Sequence, residues 1–386
     1  MRPSCLKALS YPPRKHHDGA TVGVVIPCYN YARFLRQAVD SVLTQEEVRV
    51  DVVIVDDAST DDSLTVARAL ASQDSRVRVF ANVTNEGAVA TFNRGLAEVH
   101  GEFLVRLDAD DLLTPGSLKR AVAVMQHIPS VGLVHGHPIH FAGTAHPRAR
   151  ETVDSWTVWR GQDWLAARCI DGTNTITSPE VVMRRSIVNV VGGQNPLAHT
   201  HDMEMWLRVA SASDVARING ADQAWHREHP GSLSTRAEEP LVILGEIRDA
   251  FDTLFSAVGS SIDNAEELHQ LAHVAVATEA MDQAARIIDR GQTSGAADLC
   301  AFAADCSGAV RSSARWRRLR SRVERADERN AVLRRLLGLF PRWRRSRRNA
   351  RRVARWTRSG EFGRMRVRSL SLDNVNRERC VEGEGR

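Results

Sequence analysis

Four apolar runs in the first third of the chain decide its fold: TVGVVIP (Thr21–Pro27), DVVIV (Asp51–Val55), RVRVF (Arg76–Phe80) and FLVRL (Phe103–Leu107). Short, nearly continuous apolar runs suit strands buried on both faces, since a strand with one wet face would alternate. Between them the period changes. Phe34, Leu35, Ala38, Val39, Val42 and Leu43 recur at helical spacing, and Asp61–Ala71, Glu86–Val99 and Ser117–His127 also read as helices. Strands and helices alternating over short connections predict an α/β fold, an open and mainly parallel sheet with helices on both faces. In such sheets ligands bind beyond the carboxyl ends of the strands. Polar clusters stand at those ends: Cys28-Tyr29-Asn30, Asp56-Asp57, Asn82–Asn85 and Asp108–Asp111.

Farther along, Gly132–Phe141 and Glu180–Arg184 read as strands, and Arg148–Asp163 as a long polar loop region rich in Trp. His201–Ala210 reads as a helix with Met203, Trp206, Leu207 and Ala210 on one face. From Pro240 an amphipathic pattern (Ile243, Ile247, Phe251, Leu254, Phe255, Val258) opens a run of helices that reaches about Cys306. The expected organisation is a polar tail over 1–20, the α/β domain over 21–237, a helical extension over 238–310 and a basic tail over 311–386.

The charge is unevenly spread. Arg311–Arg368 holds 22 arginines against Glu324, Asp327, Glu328 and Glu361, net +18 in a chain of net +5, so the rest is net −13. An acidic body with a basic end points to a membrane surface or a nucleic acid at that end. Trp316, Leu319 and Val323 share one helical face, as do Leu333, Leu336, Leu337 and Phe340, and Trp343 and Trp356 stand among arginines. That pattern fits adsorption of residues 311–368 to an anionic membrane surface. No reading motif accompanies the charge, so no nucleic acid is expected. The six scattered cysteines form no CxxC pair, the N-terminus has no apolar signal region, and no apolar run is long enough to span a bilayer. The expectation is a cytoplasmic protein, peripheral at most on the inner face of the cell membrane.

The chemistry gathers in acidic clusters. Asp108, Asp110 and Asp111 follow a buried strand, and three carboxylates so close repel one another unless a cation lies between them. Mg²⁺ or Mn²⁺ typically takes one or two carboxylates together with substrate phosphates. An acidic turn before Thr114-Pro115 would account for the same residues. At the end of the second run, Asp56 or Asp57 can accept a hydrogen bond from a base N–H, while Ser59 or Thr60 caps the next helix. Pro27-Cys28-Tyr29-Asn30 offers an aromatic face and an amide to a nucleobase.

In order, VVIPCYN…VDDASTDDS…NEGAVATFNRGL…LVRLDADD resembles glycosyltransferase family 2, the inverting enzymes of GT-A fold, over roughly residues 21 to 235. The resemblance implies a nucleotide-sugar donor, with Pro27, Tyr29, Asn30, Asp57, Asn85, Gly87, Asn93 and Asp108 at its site, and Asp56 beside Asp57. It implies a metal on Asp108 and Asp110, with His229 of Arg227-Glu228-His229 as a third ligand. The family's base belongs to a Glu-Asp pair at a helix start; here His201 replaces the glutamate and Asp202 remains, followed by Trp206-Leu207-Arg208. Asp202 is therefore the expected base, acting on a hydroxyl of a glycan or lipid-linked acceptor in envelope or exopolysaccharide synthesis, with His201 and Glu204 as the alternatives. Arg184-Arg185 is expected to be structural. Among rivals, a sugar-phosphate nucleotidyltransferase would want a glycine-rich basic loop after the first strand, which Pro27–Asn30 is not. A phospho-receiver would carry its acidic pair after the first strand, not the second. A degenerate nucleotide-binding scaffold would not be expected to keep all the acidic clusters.

Overall fold

The computed structural model describes residues 7–229, 231, 239–290, 292 and 294–324, and the backbone of 366–369. The chain enters the sheet earlier than its polar start suggests: β1 (Lys7–Tyr11) is an outer strand, anchored by buried Ala8 and Tyr11. The expected parallel set follows, with β2 (Thr21–Cys28), α1 (Ala32–Leu43), β3 (Arg49–Asp56), α2 (Ser63–Gln73), β4 (Val77–Ala81), α3 (Ala88–Glu98) and β5 (Phe103–Arg106). The order β5-β2-β3-β4 is parallel throughout. Both faces are dry. Val22, Val24 and Ile26 point to one core with Leu35, Val39 and Leu70. Val25, Val53 and Val55 point to the other with Phe92 and Trp206.

β6 (Leu112–Leu113), α4 (Ser117–His127), β7 (Val131–Ala142), β8 (Ser155–Trp159), α5 (Gly161–Asp171), β9 (Val182–Arg184), α6 (Arg185–Val191), α7 (His201–Ala212) and β10 (Asp214–Glu228) complete the sheet. Its order continues from β5 through β9, β7, β10 and β8 to β1, with β9 antiparallel to its neighbours and β10 parallel to β7. The tryptophan-rich loop expected over 148–163 is thus corrected. β8 pairs with both β10 and β1, and Trp156, Thr157, Val158 and Trp159 are all buried because sheet faces are covered on both sides there. Arg184 and Arg185 are structural, giving their guanidiniums to the carbonyls of Val131 and Met125 and of Gly101 and Val99 respectively.

α8 (Pro240–Val258), α9 (Ala265–Asp289), α10 (Ala296–Cys306) and α11 (Ala314–Glu324) follow, and the backbone of β11 (Arg366–Ser369) pairs in parallel with β1. The helices share one continuous core with α5 and α7, where Val276, Ala280 and Phe251 meet Leu165, Trp206 and Val209. The face of Trp316 and Leu319 is buried in that core and Val323 packs against it. The apolar stripe of that helix is therefore turned inward, against the expectation that it faces a membrane, while Arg315, Arg317, Arg318 and Arg320 stay exposed and Arg322 pairs with Asp289 at 2.5 Å. Leu333, Leu336, Leu337, Phe340, Trp343 and Trp356 lie outside the described residues. Among those described, no helix is long and apolar enough to cross a membrane.

Candidate active site

At the carboxyl ends of β2, β3 and β5 a cleft of about 740 Å³ opens, closed on its far side by the start of α7 and the end of β10. Pro27, Tyr29, Asn30, Asp57, Asn85, Gly87, Asp108, Asp110, Asp202 and His229 all line it, so ten of the residues read from sequence converge there.

In one half, side chains hold backbone. Asn30 has φ of 61°, a left-handed conformation that asparagine tolerates better than most residues. Its Oδ1 accepts from the Thr60 and Asp61 N–H groups at 2.8 and 3.3 Å, while Ser59 Oγ accepts from its own N–H at 3.0 Å. The first and second motif loops are thereby tied together. Asp57 accepts from Asn82 Nδ2, Glu86 N–H and Gly87 N–H at 2.7, 2.8 and 2.9 Å, fixing the turn that presents Asn85 and Gly87. Tyr29 stays 43% exposed at the rim, an aromatic face free to stack.

Two expected contacts are corrected. Asp56 does not reach the cleft: successive strand residues point to opposite faces, so Asp56 and Asp57 cannot both face it. Asp56 is buried and accepts the Ser59 N–H at 3.1 Å. Asn93 also stays outside, exchanging two hydrogen bonds with the Gln194 backbone, each 2.8 Å, from the surface of α3.

The other half is charged. Arg106 is the lone charge in an otherwise apolar strand, and it is buried. It donates to Asp108 Oδ1 at 3.1 Å and to Gln194 Oε1 at 2.6 Å, and Gln194 is the residue that Asn93 holds. Burial would push Asp108 up, but the charge and hydrogen bond of Arg106 together with the nearby His201 and His226 outweigh it and keep the carboxylate below its ordinary range. At Asp110, burial together with the charges of Asp111 and Asp108 pushes the carboxyl up to about 8. His229 Nε2 lies 2.9 Å from Asp110 Oδ2. Asp111 takes His226 Nδ1 at 3.0 Å and the Arg227 N–H at 2.7 Å. Burial disfavours a charged His226, yet Asp111 overrides it and lifts the imidazole to about 9. Arg227 donates to the Asp110 carbonyl at 2.8 Å and lies between the rings of Phe34 and Phe141, so it braces the acidic loop from behind.

Across the cleft, Thr200 precedes α7, and Asp202 stands in its first turn. One Asp202 oxygen takes the Met203 N–H at 2.6 Å; the other is 3.5 Å from Ser178 Oγ. Burial pushes this carboxyl up to about 6. His201 is buried, with Nδ1 3.2 Å from the Leu197 carbonyl; burial and Arg106 hold it down at about 4, so it is neutral and poorly basic. Glu204 has no route to the cleft. It is 0% exposed, and Arg208 grips both its oxygens at 2.6 and 2.8 Å. Glu204 is therefore not placed to serve as base, whereas His201 lines the cleft beside Asp202 but is held neutral.

Arg106, Gln194 and His226 are the residues that sequence reading missed. Arg106 had a signal, an arginine inside the apolar run FLVRL. The others had none, because their partners are 88 to 115 residues away.

The sequence profile of Glycosyl transferase family 2 matches residues 23–192. An uncharacterized glycosyltransferase of Nostoc sp. is 37% identical over 153 residues, 37% of this chain and 47% of that protein. The succinoglycan biosynthesis protein ExoO of Rhizobium meliloti is 39% identical over 101 residues, 26% of this chain and 28% of that one. These matches span less than half of the relatives' own length. Among solved structures, S. aureus TarS 1-349 in complex with UDP-GlcNAc superposes with a TM-score of 0.55 at 18% identity, over 81% of this chain and 90% of that one, a likeness of fold.

Proposed function

Since this chain belongs to glycosyltransferase family 2 through residues 23–192, we propose that it transfers a sugar from a nucleoside-diphosphate sugar to an acceptor hydroxyl with inversion. One observation carries the reading: Asp202 faces, across a single cleft, the acidic loop of Asp108 and Asp110 and the aromatic rim of Tyr29. The rim suits a nucleobase and the acidic loop a metal-bound diphosphate, which leaves the sugar within reach of Asp202. Asp202, with its raised basicity, takes the acceptor's proton as that oxygen bonds to the anomeric carbon. The bond from that carbon to the diphosphate oxygen breaks, and its electron pair leaves with the nucleoside diphosphate. Attack from the face opposite the leaving group inverts the centre.

The donor set fits a hard divalent ion. A carboxylate held up at about 8 by burial and by two like charges has an unmet need for a cation, and His229 adds a nitrogen beside it. Asp110, Asp108 and His229 are the residues that would hold Mg²⁺ or Mn²⁺, which neutralises charge developing on the leaving diphosphate. Arg106 orients Asp108 for that task, and His226 and Arg227 hold the loop. An acceptor in extracellular polysaccharide assembly accords with the succinoglycan biosynthesis relative. The anionic membrane contact at the cytoplasmic face is assigned to the basic end over 311–368, where α11 buries its apolar stripe and leaves Arg315, Arg317, Arg318 and Arg320 exposed.

The test is Asp202→Asn, assayed for donor affinity and single-turnover transfer over a panel of UDP-, GDP- and dTDP-sugars with Mn²⁺. Transfer should fall by roughly two to four orders of magnitude with donor affinity unchanged. Transfer at the original rate would exclude Asp202 as the base. Asp110→Ala, or EDTA, should abolish metal-dependent donor binding; full activity in EDTA would remove the metal from the reading.

A further inference from the structure

A second cluster of ligand-bearing side chains lies in the helical extension. His269 and His273 stand four residues apart on α9, so both project from one face. Asp252 of α8 faces them, and one of its oxygens is 2.6 Å from His269 Nε2 and 2.7 Å from His273 Nε2. Among the described residues this is the one group of three such side chains whose ligand atoms all lie within 4.8 Å of one another. We propose that Asp252, His269 and His273 form a binding site for a divalent transition metal, Zn²⁺ foremost, that joins α8 to α9.

Two imidazole nitrogens and a carboxylate oxygen suit Zn²⁺ rather than Mg²⁺, which prefers an all-oxygen shell. Around Zn²⁺, with bonds of about 2.0 to 2.1 Å, tetrahedral ligand atoms stand roughly 3.3 Å apart. Seating the ion therefore needs the Asp252 oxygen to draw back from each Nε2 by about 0.7 Å, within reach of side-chain adjustment. The three side chains are 27 to 42% exposed, so water can reach the ion and complete its shell. The surroundings hold the ligands in place. The His269 ring stacks on Phe255 at 4.7 Å, and the Cys306 thiol donates to the His273 carbonyl at 3.4 Å instead of joining the set. The site is coupled to the cleft through α8. Glu246, on the same helix, accepts the His199 N–H at 3.1 Å and the Thr200 hydroxyl at 3.0 Å, just ahead of Asp202. A metal that pins α8 thus steadies the start of α7.

The experiment uses full-length, tag-free protein stripped with EDTA and held in millimolar Mg²⁺ to occupy the cleft. Zn²⁺ is titrated against a chromophoric chelator, and thermal melting is followed with and without it. The proposal expects one equivalent of Zn²⁺ and a raised Tm in the wild type, and the same in Asp110→Ala. Asp252→Asn, which keeps volume, and His273→Gln should each weaken Zn²⁺ at least about tenfold and lose the Tm response. Circular dichroism before titration identifies a variant that has not folded, and the other then decides. No Zn²⁺ uptake by the wild type, or uptake unchanged in folded Asp252→Asn and His273→Gln, overturns the site and leaves two histidines hydrogen-bonded to a carboxylate.

Discussion

Replacing Glu204 with glutamine separates a structural carboxylate from a catalytic one. Glu204 stands two residues after Asp202, and the sequence alone does not tell which is the base. The structure makes Glu204 a counter-ion, fully buried and held in two charge-assisted hydrogen bonds by Arg208. Arg208 also donates to the Gly193 carbonyl at 2.6 Å and to that of Val191, so it ties α7 to the loop that presents Gln194. In Glu204→Gln one amide oxygen still accepts from Arg208, while the NH₂ faces a guanidinium N–H and leaves an uncompensated charge in the core. Breaking a buried pair by removing one partner costs about 3–5 kcal/mol. The surviving hydrogen bond offsets about 1 kcal/mol, which leaves a loss near 3 kcal/mol. At roughly 2–4 °C per kcal/mol for a domain of this size, Tm should fall by roughly 6–12 °C. Thermal melts followed by circular dichroism read that shift, and transfer assays well below the new Tm should retain most of kcat. An unchanged Tm with kcat down a hundredfold would refute the assignment and make Glu204 the proton acceptor.

Asp202, needed as a carboxylate and held near 6 by burial, should give a kcat that climbs as pH rises through about 6 and levels about one unit above it; a flat profile from pH 5 to 8 would exclude it. Asp57→Ala removes the acceptor of three hydrogen bonds and should raise the donor KM at least about tenfold with less effect on kcat, read by steady-state kinetics. Gly95→Ala would bring a Cβ within 2.4 Å of Val25 Cγ1 where α3 packs on β2, and should lower stability by about 1–3 kcal/mol in a denaturant titration. Burial pushes Asp222 up, but hydrogen bonds from His137 and Arg150 outweigh it and hold the carboxyl well below its ordinary range. Its stabilisation is therefore present above about pH 4 and lost as pH falls below that, so the gap in Tm between wild type and Asp222→Asn should narrow on acidification.

The parallel half of the sheet was legible because its signal is local. Each strand from β2 to β5 is a continuous apolar run ending in polar residues, and the helices between carry one apolar stripe. β10 had no such signal. Its sequence, DVARINGADQAWHRE, spreads charged and amide side chains along 15 residues, yet nearly all are buried. Several of these polar groups are satisfied from elsewhere: Asn219 by Thr157 and Ser155, Asp222 by Arg150 and His137, Gln223 by Arg120 and Ser117. A strand whose polar residues are buried and paired at long range cannot show the alternation that reveals a half-wet one.

The same physics limits what a motif says about a site. Asn30, Asp57 and Asn93 were read as donor contacts, yet each spends its polar atoms on backbone groups of a neighbouring loop. Asn30 and Asp57 still face the cleft, while Asn93 acts from outside through Gln194, Arg106 and Asp108. Such a relay joins residues about 100 positions apart, and its middle member, Gln194, is unremarkable in sequence. Linear spacing therefore finds where a strand ends and which residues cluster there. Which of them touches ligand and which holds the loop that does depends on the partners the fold brings, and those partners set the acidic carboxyls apart: Arg106 helps keep Asp108 below its ordinary range, while burial and the charges of Asp111 and Asp108 push Asp110 up.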